Sequence, residues 1–444
     1  MDLPPSVQSL LRRLNDAGHE AFAVGGCVRD TLLGRAPHDW DICTSAMPEE
    51  IHACFSDLRT VDTGIVHGTV TVLLNRTPYE ITTFRREGTY TDHRRPDGVT
   101  FVRSLSEDLA RRDFTINAMA AGPDGTVHDP YGGQADLDRG LIRCVGDPSA
   151  RFQEDALRIL RALRFAAQLD FTIDPDTVRA AREQKALLCF VSGERIYAEL
   201  NRLLAGPGAA RVLRTYPDLL AEVLPEIAPC IGFQQHNPCH NEDVWNHTCT
   251  ALSYSRPDRL VRWTLLLHDL GKPETFRPDA DGVGHFKGHP ARSRALAEGI
   301  FQRLHADKDT RVRVCRLVYY HDAAPPTTQA GILRWMREFG PQDIRRLIEV
   351  RRCDGRAHTD HPKMIAVRAS TERFAEEAER ISASGLPCSV RDLNISGRDL
   401  MALGVPQGRA LGEALNRLLE AVMSGRCENE RGALLHYYEE HLTL

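Results

Sequence analysis

Lysine is nearly absent from this sequence. The chain of 444 residues has only five lysines, so almost all of its 56 basic residues are arginines. Arginine favours bidentate contacts with phosphate groups and base edges, so the places where arginines cluster matter more than their number. Cys-x-x-Cys pairs are also missing, although the chain has twelve cysteines. Their absence argues against a zinc ribbon or a thioredoxin-type motif, and most cysteines are predicted to be small buried residues.

Long apolar runs and a strong excess of one charge are absent too. No run approaches the length needed to cross a bilayer, and the N-terminus lacks a basic segment followed by an apolar one. The sequence therefore predicts a cytoplasmic protein with no membrane contact. The formal net charge of −5 does not by itself indicate a nucleic-acid binder, and a surface that binds nucleic acid would have to be confined to one face.

The order of predicted elements divides the chain into an α/β part and an all-α part. A chain of this length is predicted to form two to four domains. Residues 1–145 alternate β-rich runs, such as 68–74 and 79–84, with helical stretches. From Pro148 onward nearly every segment has helical periodicity. This helical part is divided into three blocks, at 146–215, 220–355 and 356–444.

A pair of glycines follows the first predicted strand. The apolar run 22–24 predicts a short strand, and Gly25 and Gly26 come directly after it. Glycines let the backbone approach a phosphate closely, and the guanidinium of Arg29 can bind the same oxygens. Taken alone, two adjacent glycines more often form an ordinary turn. The segment is therefore a candidate phosphate grip that needs support from the rest of the chain.

Two aspartates separated by one residue follow this segment. If Asp39 and Asp41 lie on a strand, both carboxylates share one face and Trp40 lies on the other. Carboxylates at this spacing suit Mg²⁺, and two such ions are what an in-line phosphoryl displacement requires. Glu80 is a candidate third acidic group on that face. A lone Asp-x-Asp is more often a solvated turn or a strand edge, so this pattern too needs a partner.

Together, in this order and at this spacing, the two motifs resemble the signature of polymerase-beta-like nucleotidyltransferases. The resemblance is to the branch that holds bacterial tRNA CCA-adding enzymes and poly(A) polymerases. It implies a nucleotidyltransferase head with a mixed sheet, followed by a helical neck, an HD domain and a helical tail that contacts tRNA. It also implies that Asp39 and Asp41 bind two Mg²⁺ ions for catalysis, and that Gly26 and Arg29 hold a nucleoside triphosphate.

The segment 108–120 gives a second match to this family. It contains the string Arg-Arg-Asp-Phe-Thr-Ile-Asn-Ala. The resemblance implies that Arg112 contacts the triphosphate, and that Asp113 binds the nucleotide ribose or steadies the metal-binding carboxylates. The alternative is a helix start with an ordinary charge cluster, but that interpretation leaves the flanking residues of the string unexplained.

Residues 154–165 are predicted to form a helix with a charged stripe. Apolar residues recur there with helical spacing, while Asp155, Arg158 and Arg161 are three residues apart and so share one exposed face. A solvent-facing row of Asp–Arg salt bridges is the simplest interpretation of such a stripe. A more specific interpretation concerns the nucleotide base.

A carboxylate accepts hydrogen bonds and a guanidinium donates them. Cytosine and adenine both present an exocyclic amine beside a ring-nitrogen acceptor, whereas uracil and guanine present a carbonyl where that amine would be. One Asp–Arg pair can therefore accept C and A and reject U and G, because the wrong base leaves buried polar groups unpaired. The family resemblance implies this role for Asp155 and Arg158, with Arg161 and Arg164 facing phosphate.

Two further segments resemble parts of the same family. Residues 193–200 resemble the neck motif, which implies structural support for the base-reading helix. Residues 85–96 are polar and contain glycine, so they are predicted to form a mobile loop after a strand. In CCA-adding relatives a similar loop assists the switch from C to A addition, although a plain surface hairpin has the same composition.

Histidine motifs lie in the second helical block. His247, and the adjacent pair His268-Asp269 within Leu-Leu-Leu-His-Asp-Leu-Gly-Lys, resemble the motif of HD-domain phosphohydrolases. The resemblance implies a divalent metal at these three residues, and imidazole with carboxylate suits Mn, Fe, Ni, Zn or Mg alike. Lone histidines are more often polar core residues. Four residues are candidates for the remaining ligands: His285, His289, His321 and Asp322.

The sequence thus predicts template-independent addition of C, C and A to the 3′ end of tRNA, from CTP and ATP. A poly(A) polymerase of the same branch is the nearest alternative. Those relatives carry a basic strand of the Gly-Arg-Arg-Phe type, whereas residues 63–70 here resemble the CCA-adding form. An enzyme that adds only CC or only A is a second alternative. A third is an HD metal-dependent phosphohydrolase whose head merely binds nucleotide.

Overall fold

A computed structural model describes residues 1–87, 99–384 and 386–442. Within these residues the chain forms two compact units. The first comprises Met1–Ala228 with the short segment Arg303–Ala306, and the second comprises Pro229–Gln302 with Asp307–Leu444. The finer division into a head, a neck and two further blocks stays a prediction.

A mixed β-sheet forms the centre of the first unit. Its strands, with one separate two-stranded ribbon, are β1 (Ala21–Val24), β2 (Asp41–Thr44), β3 (Arg59–Gly64), β4 (Thr69–Leu74), β5 (Thr77–Thr83), β6 (Arg85–Glu87), β7 (Val99–Phe101), β8 (Ala120–Ala121) and β9 (Val127–His128). In the described residues the sheet has seven strands in the order β3-β4-β5-β2-β1-β8-β9, and β6 pairs with β7 separately. Strands β2 and β5 are parallel, while the other pairs of the sheet are antiparallel. The predicted mixed sheet is confirmed.

Alternating apolar residues explain the hairpin of β4 and β5. Val70, Val72 and Ile81 are completely buried on one face, as the period of two in a half-buried strand requires. Asn75 and Arg76 at the turn both have positive φ values, of 52° and 67°, which a tight two-residue hairpin favours. The two strands predicted from β-branched content are therefore confirmed, with ends shifted by one or two residues.

Helices cover the sheet and continue from it. The helices of the first unit are α1 (Pro5–Asp16), α2 (Gly26–Leu32), α3 (Pro48–Cys54), α4 (Leu105–Ala110), α5 (Gly133–Arg139), α6 (Pro148–Glu154), α7 (Leu157–Leu169), α8 (Pro175–Gln184), α9 (Gly193–Ala205), α10 (Ala209–Thr215) and α11 (Pro217–Val223). A small parallel pair joins β10 (Leu141–Ile142) to β11 (Thr172–Ile173). Asp147 caps α6 by accepting hydrogen bonds from the backbone N–H groups of Ser149 and Ala150.

The helix predicted over 154–165 is broken in the structure. Helix α6 ends at Glu154, Asp155 has an extended backbone (φ −142°, ψ 104°), and α7 begins at Leu157. The side chain of Asp155 accepts a hydrogen bond from the N–H of Leu157. This local bond offers the backbone an alternative to the helical pattern. Asp155 therefore lies in a corner between α6 and α7 and not within either helix.

The second unit is almost entirely helical, as predicted for the chain after Pro148. Its helices are α12 (Val244–Ser253), α13 (Arg259–Leu267), α14 (Lys272–Thr275), α15 (His289–Arg303), α16 (Lys308–Tyr320), α17 (Gln329–Phe339), α18 (Pro341–Ala357), α19 (Pro362–Ala383), α20 (Gly397–Ala402), α21 (Arg409–Met423) and α22 (Arg431–His441). A short hairpin joins β12 (Arg277–Pro278) to β13 (Gly284–His285). Helix α18 packs against α12, α13, α16 and α19, and so brings several helices to one point.

The cysteines are unpaired and mostly buried. Eight of the twelve are buried and none of the twelve, all of which lie in the described part, forms a disulfide. The prediction that most act as small apolar residues is confirmed. Separately, none of the helices in the described ranges combines the length and the apolar character that crossing a bilayer requires.

Candidate active site and candidate metal centre

A cavity of about 560 Å³ opens in the first unit. It is lined by Gly25, Gly26, Arg29, Asp41, Arg85, Arg111, Arg112, Asp113, Asn117, Asp155, Leu157, Arg158, Arg161, Arg164, Phe165 and Arg195. Nine of the ten residues predicted to form the nucleotide site belong to this lining, and Asp39 does not. Among the described residues, this lining contains eight arginines and three aspartates. The excess of positive charge suits a ligand that carries several negative charges.

Gly25 fixes the approach of Arg112 to the start of α2. Its φ is +81°, and a Cβ atom at this position would lie 2.8 Å from Nη1 of Arg112. Only glycine readily adopts this positive φ and has no Cβ atom to collide with Arg112. On the same helix, Arg29 donates to Oδ1 of Asn117 (2.7 Å) and to its neighbour Asp30 (2.8 Å). The two guanidiniums are thus held beside the backbone of the Gly-Gly turn.

A buried carboxylate anchors the arginines after α4. Asp108 is 1% exposed and accepts hydrogen bonds from Arg111 at 2.8 and 3.0 Å and from Arg112 at 3.4 Å. Burial alone would raise the pKa of Asp108, but the charges of the two guanidiniums outweigh it and lower that pKa. Asp108 therefore stays ionised and holds both arginines in place at the cavity wall.

Asp41 lies among other acidic groups at the start of β2, a central strand of the sheet. It pairs in register with Glu80 across the parallel strands β2 and β5, so both side chains lie on one face. Partial burial, together with the charges of Asp39 and Glu80, raises the pKa of Asp41 to about 6, although Arg112 opposes this. A bound cation would reduce this repulsion between the carboxylates.

Asp39 lies two residues before β2, so the expectation that both aspartates share one strand is wrong. The pairing of β2 with its neighbouring strands begins at Asp41, which pairs with Glu80, and at Ile42, which pairs with Ala23. Asp39 precedes that pairing and is exposed. Its charge still acts on Asp41, so the two carboxylates remain electrostatically linked.

Asp113 and Arg161 form a buried ion pair in the cavity. Nε of Arg161 donates to Oδ2 of Asp113 at 2.7 Å, while Oδ1 accepts from the N–H of Phe114 and from Nδ2 of Asn117. Burial would raise the pKa of Asp113, but Arg161 and these hydrogen bonds lower it to about 2. Asp113 is therefore a fixed negative charge beneath the cationic lining.

The residues predicted to read the base are held by different partners. Oδ2 of Asp155 accepts from Arg195 of α9 at 2.7 Å, and Nη1 of Arg158 donates to Oε2 of Glu154 at 2.5 Å. Arg158 is buried and Asp155 is half-buried, so the predicted exposed stripe is wrong. Helix α9 packs against α7. Asp155 and Arg158 therefore lie at the cavity wall and not in bulk solvent.

Helix α9 supports α7, as its motif predicted. Nε of Arg164 lies 2.7 Å from Oε2 of Glu199, and both side chains are buried. Burial lowers the pKa of Arg164 to about 10, although Glu199 opposes this shift. The guanidinium of Arg164 also lies 3.9 Å from the ring centroid of Phe165. Arg164 is therefore tied to α9 and to the aromatic wall, in addition to lining the cavity.

Several lining and supporting residues had no predicted role. Glu154, Arg195 and Glu199 lie inside the motifs that were recognised, but their pairing depends on how α6, α7 and α9 pack. Asn117 belongs to the string at 108–120 and could have been chosen as a polar residue within it. The predicted loop at 85–96 lies outside the described residues from 88 onward.

A second group of ionisable side chains lies within the second unit. Nε2 of His247 is 2.9 Å from Oδ1 of Asp354 and 3.7 Å from Oδ2 of Asp269. Nε2 of His268 is 3.2 Å from Oδ2 of Asp269 and 3.5 Å from Oδ1 of Asp354. These four side chains come from α12, the end of α13 and α18, and they converge on one point.

This group fits a divalent cation. Nε2 of His268 and Oδ2 of Asp269 are buried, and Nζ of Lys272 lies 2.7 Å from the same carboxylate oxygen. Burial opposes charge on the imidazole, but Asp269 and Asp354 raise the pKa of His268 to about 10. The carboxylates therefore favour positive charge at this point, and two imidazoles with two carboxylates are a common set of metal ligands.

Asp354 was missed by the sequence analysis because nothing around it forms a motif. His240 and His358, which place their rings 5.0 and 4.7 Å from that of His247, were missed for the same reason. The surrounding cavity measures about 340 Å³ and includes His289, His321 and Asp322 in its lining. His285 lies at its rim, where it is paired with Asp279 of the same hairpin at 2.9 Å.

Three family models match separate parts of the chain. They are the Poly A polymerase head domain at residues 21–143, the "Probable RNA and SrmB-binding site of polymerase A" at 170–231, and tRNA nucleotidyltransferase domain 2 at 364–438. The first match covers the whole seven-stranded sheet and the Gly-Gly turn. The second begins at the end of α7 and includes α9.

Relatives match along nearly the whole chain. The CCA-adding enzyme of Limosilactobacillus fermentum is 58% identical over 432 residues, which span 96% of this chain and 94% of the relative. The CCA-adding enzyme of Levilactobacillus brevis is 39% identical over 430 residues, or 96% and 95% of the two chains. The crystal structure of the Bacillus stearothermophilus CCA-adding enzyme in complex with CTP is 32% identical, covers 99% of this chain and 98% of that chain, and superposes with a TM-score of 0.71.

Proposed function

This chain belongs to the family of CCA-adding enzymes, which are tRNA nucleotidyltransferases, and we propose that it adds C, C and A to the tRNA 3′ end from CTP and ATP. The observation that carries the proposal is the composition of one cavity. Its lining combines the Gly-Gly turn and arginines suited to a triphosphate with Asp155 and Arg158, which suit a base that offers an amine beside an acceptor. A cytoplasmic location stays a prediction from the sequence.

The acidic group at the start of β2 fits two Mg²⁺ ions. Asp41 would hold them together with Asp39, and the register partner Glu80 adds a third carboxylate. When bound, such ions neutralise charge on the phosphates and favour ionisation of the attacking hydroxyl. The raised pKa of Asp41 supports this assignment, because it reflects crowding of negative charge that a cation relieves.

The surrounding arginines would orient the triphosphate. Arg29 and Arg112 flank the Gly-Gly turn, and each is braced from behind by a side-chain acceptor, Asn117 or Asp108. A braced guanidinium loses little further freedom when it binds an oxyanion. Gly26 leaves room for the phosphates to approach the backbone at the start of α2.

Base choice would rest on Asp155 and Arg158. The carboxylate of Asp155 would accept from the exocyclic amine of C or A, and Arg158 would donate to the adjacent ring nitrogen. Arg195 and Glu154 support this role by fixing the two side chains before a nucleotide arrives. Uracil and guanine would leave the polar groups of this wall unpaired. Arg161 is paired with Asp113, and Arg164 is paired with Glu199. We therefore assign both arginines a supporting role, as positive charges on the phosphate side of the site.

The activity is tested with labelled nucleotides and tRNA that lacks its last three residues. We expect two CMP and one AMP to be incorporated per tRNA. A long tract of A would instead support poly(A) polymerase activity, and arrest after CC or a requirement for a CC end would support a partial enzyme. No incorporation of any nucleotide, with metal-dependent phosphatase activity intact, would overturn the proposal.

A second candidate function is metal-dependent hydrolysis of phosphate esters within the second unit. The convergence of His247, His268, Asp269 and Asp354 favours it, and we propose that this unit contains an HD domain. The cavity above the group is lined by three of the chain's five lysines: Lys272, Lys287 and Lys363. Lysine is a compact positive charge suited to phosphate, so an anionic substrate fits there.

This second function is tested by hydrolysis of p-nitrophenyl phosphate and of 2′- and 3′-nucleotides in the presence of Ni²⁺, Mn²⁺ or Mg²⁺. We expect turnover by the wild type and its loss in Asp354→Asn, while incorporation of CMP and AMP stays unchanged. Equal turnover by the variant would contradict the assignment.

We also propose the domain boundaries that the sequence suggests. They are a head at 1–145, a neck at 146–215, an HD domain at 220–355 and a tRNA-contacting tail at 356–444.

A further inference from the structure

The ring of Phe165, which lines the cavity of the first unit, lies beside three guanidiniums. The Cζ atoms of Arg29, Arg161 and Arg164 are 5.2, 5.6 and 3.9 Å from its centroid. A cation within about 6 Å of a ring centroid is attracted by the negative potential of the ring face. The ring therefore attracts three positive charges that repel one another.

The contact with the ring matters most for Arg29. Arg161 and Arg164 each form an ion pair with a buried carboxylate. The carboxylate beside Arg29 belongs instead to Asp30, whose side chain is 24% exposed. Solvent screens such a pair more strongly than a buried one. The ring of Phe165 thus supplies attraction where the carboxylate is weaker.

The guanidinium of Arg29 keeps donors for a ligand. Nε donates to Oδ1 of Asp30 at 2.8 Å, Nη2 lies 2.8 Å from the same oxygen, and Nη1 donates to Oδ1 of Asn117 at 2.7 Å. These contacts within the described residues use three of the five N–H groups of a guanidinium. Because Arg29 lines the cavity, the other two can donate to an oxyanion bound there.

Phe165 is itself held by a second ring. Its side chain is buried, and its ring meets that of Phe114 edge to face, with the centroids 5.7 Å apart and the planes at 78°. Phe114 is completely buried, so this aromatic pair gives Phe165 a fixed orientation. A ring that cannot turn also fixes the position of a cation placed against it.

Helix α7 presents Phe165 on the same face as its cavity-lining arginines. Arg158, Arg161 and Phe165 are spaced by three and four residues, and all three line the cavity. Phe165 lies about 10 Å along the helix axis from Arg158. The helix that supplies a proposed base-reading group therefore also contacts Arg29, which is proposed to hold the triphosphate.

We propose that Phe165 is a positioning residue of the triphosphate site, where it holds the guanidinium of Arg29 by a cation–π contact. This inference rests on the proposed binding of nucleoside triphosphates in this cavity. An arginine held between Asn117 and an aromatic ring loses little further freedom when it binds an oxyanion. The competing explanation is that Phe165 only fills space beneath the arginine stems. The two explanations differ in whether the potential of the ring face matters.

The test changes that potential and largely keeps the shape of the ring. Phe165 is replaced in the full-length chain by para-fluorophenylalanine or trifluorophenylalanine, which weaken the negative potential of the ring face. The probe is inorganic pyrophosphate with Mg²⁺, which has phosphates but no base. Calorimetry gives its Kd for the binding that CTP displaces. We expect this Kd to rise with the number of fluorines, by about 10-fold for the trifluorinated ring. An unchanged Kd would overturn the proposal.

The same unit offers a matched control. The Cζ atom of Arg13 lies 5.1 Å from the ring centroid of Phe55, which is also buried but does not line the cavity. Trifluorophenylalanine in place of Phe55 should leave the Kd for pyrophosphate unchanged. A rise as large as that produced at Phe165 would show that the effect is not local to the site, and would contradict the proposal.

A second substitution identifies the arginine through which Phe165 acts. In an Arg29→Met background, fluorination of Phe165 should no longer change the Kd for pyrophosphate, because the cation concerned is gone. A rise equal to that in the unsubstituted chain would instead assign the effect to Arg161 or Arg164, and would overturn the role proposed here. Phe165→Leu removes the ring, and it should raise KM for CTP and ATP equally and leave the ratio of C to U unchanged. Circular dichroism identifies any variant that fails to fold, and the fluorinated chains keep the test available if Phe165→Leu does so.

The outcomes distinguish this inference from the function on which it rests. Normal incorporation of CMP and AMP, with a Kd for pyrophosphate that does not respond to fluorination, would overturn the role of Phe165 and leave the proposed function in place. A Kd that rises with fluorination in a chain that incorporates no nucleotide would overturn CCA addition and support the contact between Phe165 and Arg29.

Discussion

The carboxylate of Asp155 accepts a hydrogen bond of 2.7 Å from the guanidinium of Arg195, which lies 40 residues further along the chain. This contact joins the corner between α6 and α7 to α9. It means that the residue proposed to read the exocyclic amine of the base is positioned by a helix that has no proposed contact with the nucleotide. Support of this kind fixes a specificity-determining group before the ligand binds.

Removing this support should weaken the binding of CTP and ATP without affecting catalytic metal binding. We expect Arg195→Leu to raise KM for both CTP and ATP by about 10-fold or more, the scale of one hydrogen bond to a charged group. Arg195→Lys should recover part of the loss. The matched control is Arg179→Leu, which changes an exposed arginine of α8 in the same unit. Initial rates over a range of nucleotide concentrations provide the measurement, and an unchanged KM in Arg195→Leu would refute the role.

Asp41 should be required for every transfer step. Asp41→Asn removes one negative charge from the acidic group at the start of β2, and we expect incorporation to fall by at least about 10²-fold, the scale for losing one electrostatic group at a reaction centre. Asp16→Asn changes an exposed carboxylate of the same unit and should have no effect. The assay counts labelled CMP and AMP at saturating nucleotide over a Mg²⁺ titration. Near-normal incorporation by Asp41→Asn at any Mg²⁺ concentration would show that the metal assignment is wrong.

Gly25→Ala tests the close approach of Arg112. The new methyl group would meet Nη1 of Arg112, and the backbone, with its positive φ, would be strained by about 1–3 kcal/mol. Gly18→Ala is the matched control, because Gly18 has a φ of +90° and open space around it. Both variants should lose comparable stability in urea. Only Gly25→Ala should raise KM for CTP and ATP, and to the same extent for both, because the triphosphate is common to them. An equal KM in the two variants would contradict the phosphate grip.

The ion pair of Asp113 and Arg161 should make stability depend on pH. The lowered pKa of Asp113, about 2 in the folded state against an ordinary 3.8, means that its ionised form stabilises the fold above about pH 4. That contribution is lost as the pH falls toward 2. Its size is on the order of 2 kcal/mol. Arg161→Gln leaves the carboxylate buried without its cation, so we expect a lower free energy of unfolding at pH 7.

The difference between the wild type and Arg161→Gln should shrink as the pH falls from 5 toward 3. Urea unfolding at several pH values, followed by circular dichroism, measures it. The matched control is Arg182→Gln, which removes a half-exposed partner of Asp218 and should change stability by less than about 1 kcal/mol. A stability difference that is constant from pH 3 to 7 would show that Asp113 is not the group concerned.

The sequence predicted the parts of this molecule that depend on local patterns. Alternation of β-branched residues located β4 and β5, and the glycines and arginines of the head carry recognisable spacing. The break at Asp155 was not predictable in this way, because the apolar period continues on both sides of it. A single side chain that bonds to the backbone two residues ahead interrupts the helix there, and periodicity does not report such a bond.

The candidate metal ligands of the second unit show the other limit. His268 and Asp269 lie in a recognisable string, but Asp354 is contributed by a helix nearly ninety residues later and has no motif around it. Its place in the cluster follows from the packing of α18 against α12 and α13.

The most direct test of the account compares the incorporation of all four nucleoside triphosphates by the wild type, Asp41→Asn and Asp155→Asn, using tRNA that lacks its 3′ end. The account assigns chemistry to Asp41 and base choice to Asp155. Asp41→Asn should therefore reduce all incorporation and leave the ratio of C to U unchanged. Asp155→Asn offers a donor amide where the carboxylate only accepted, so the ratio of C to U should fall by about 10-fold or more. A C-to-U ratio in Asp155→Asn equal to that of the wild type would contradict this division of roles.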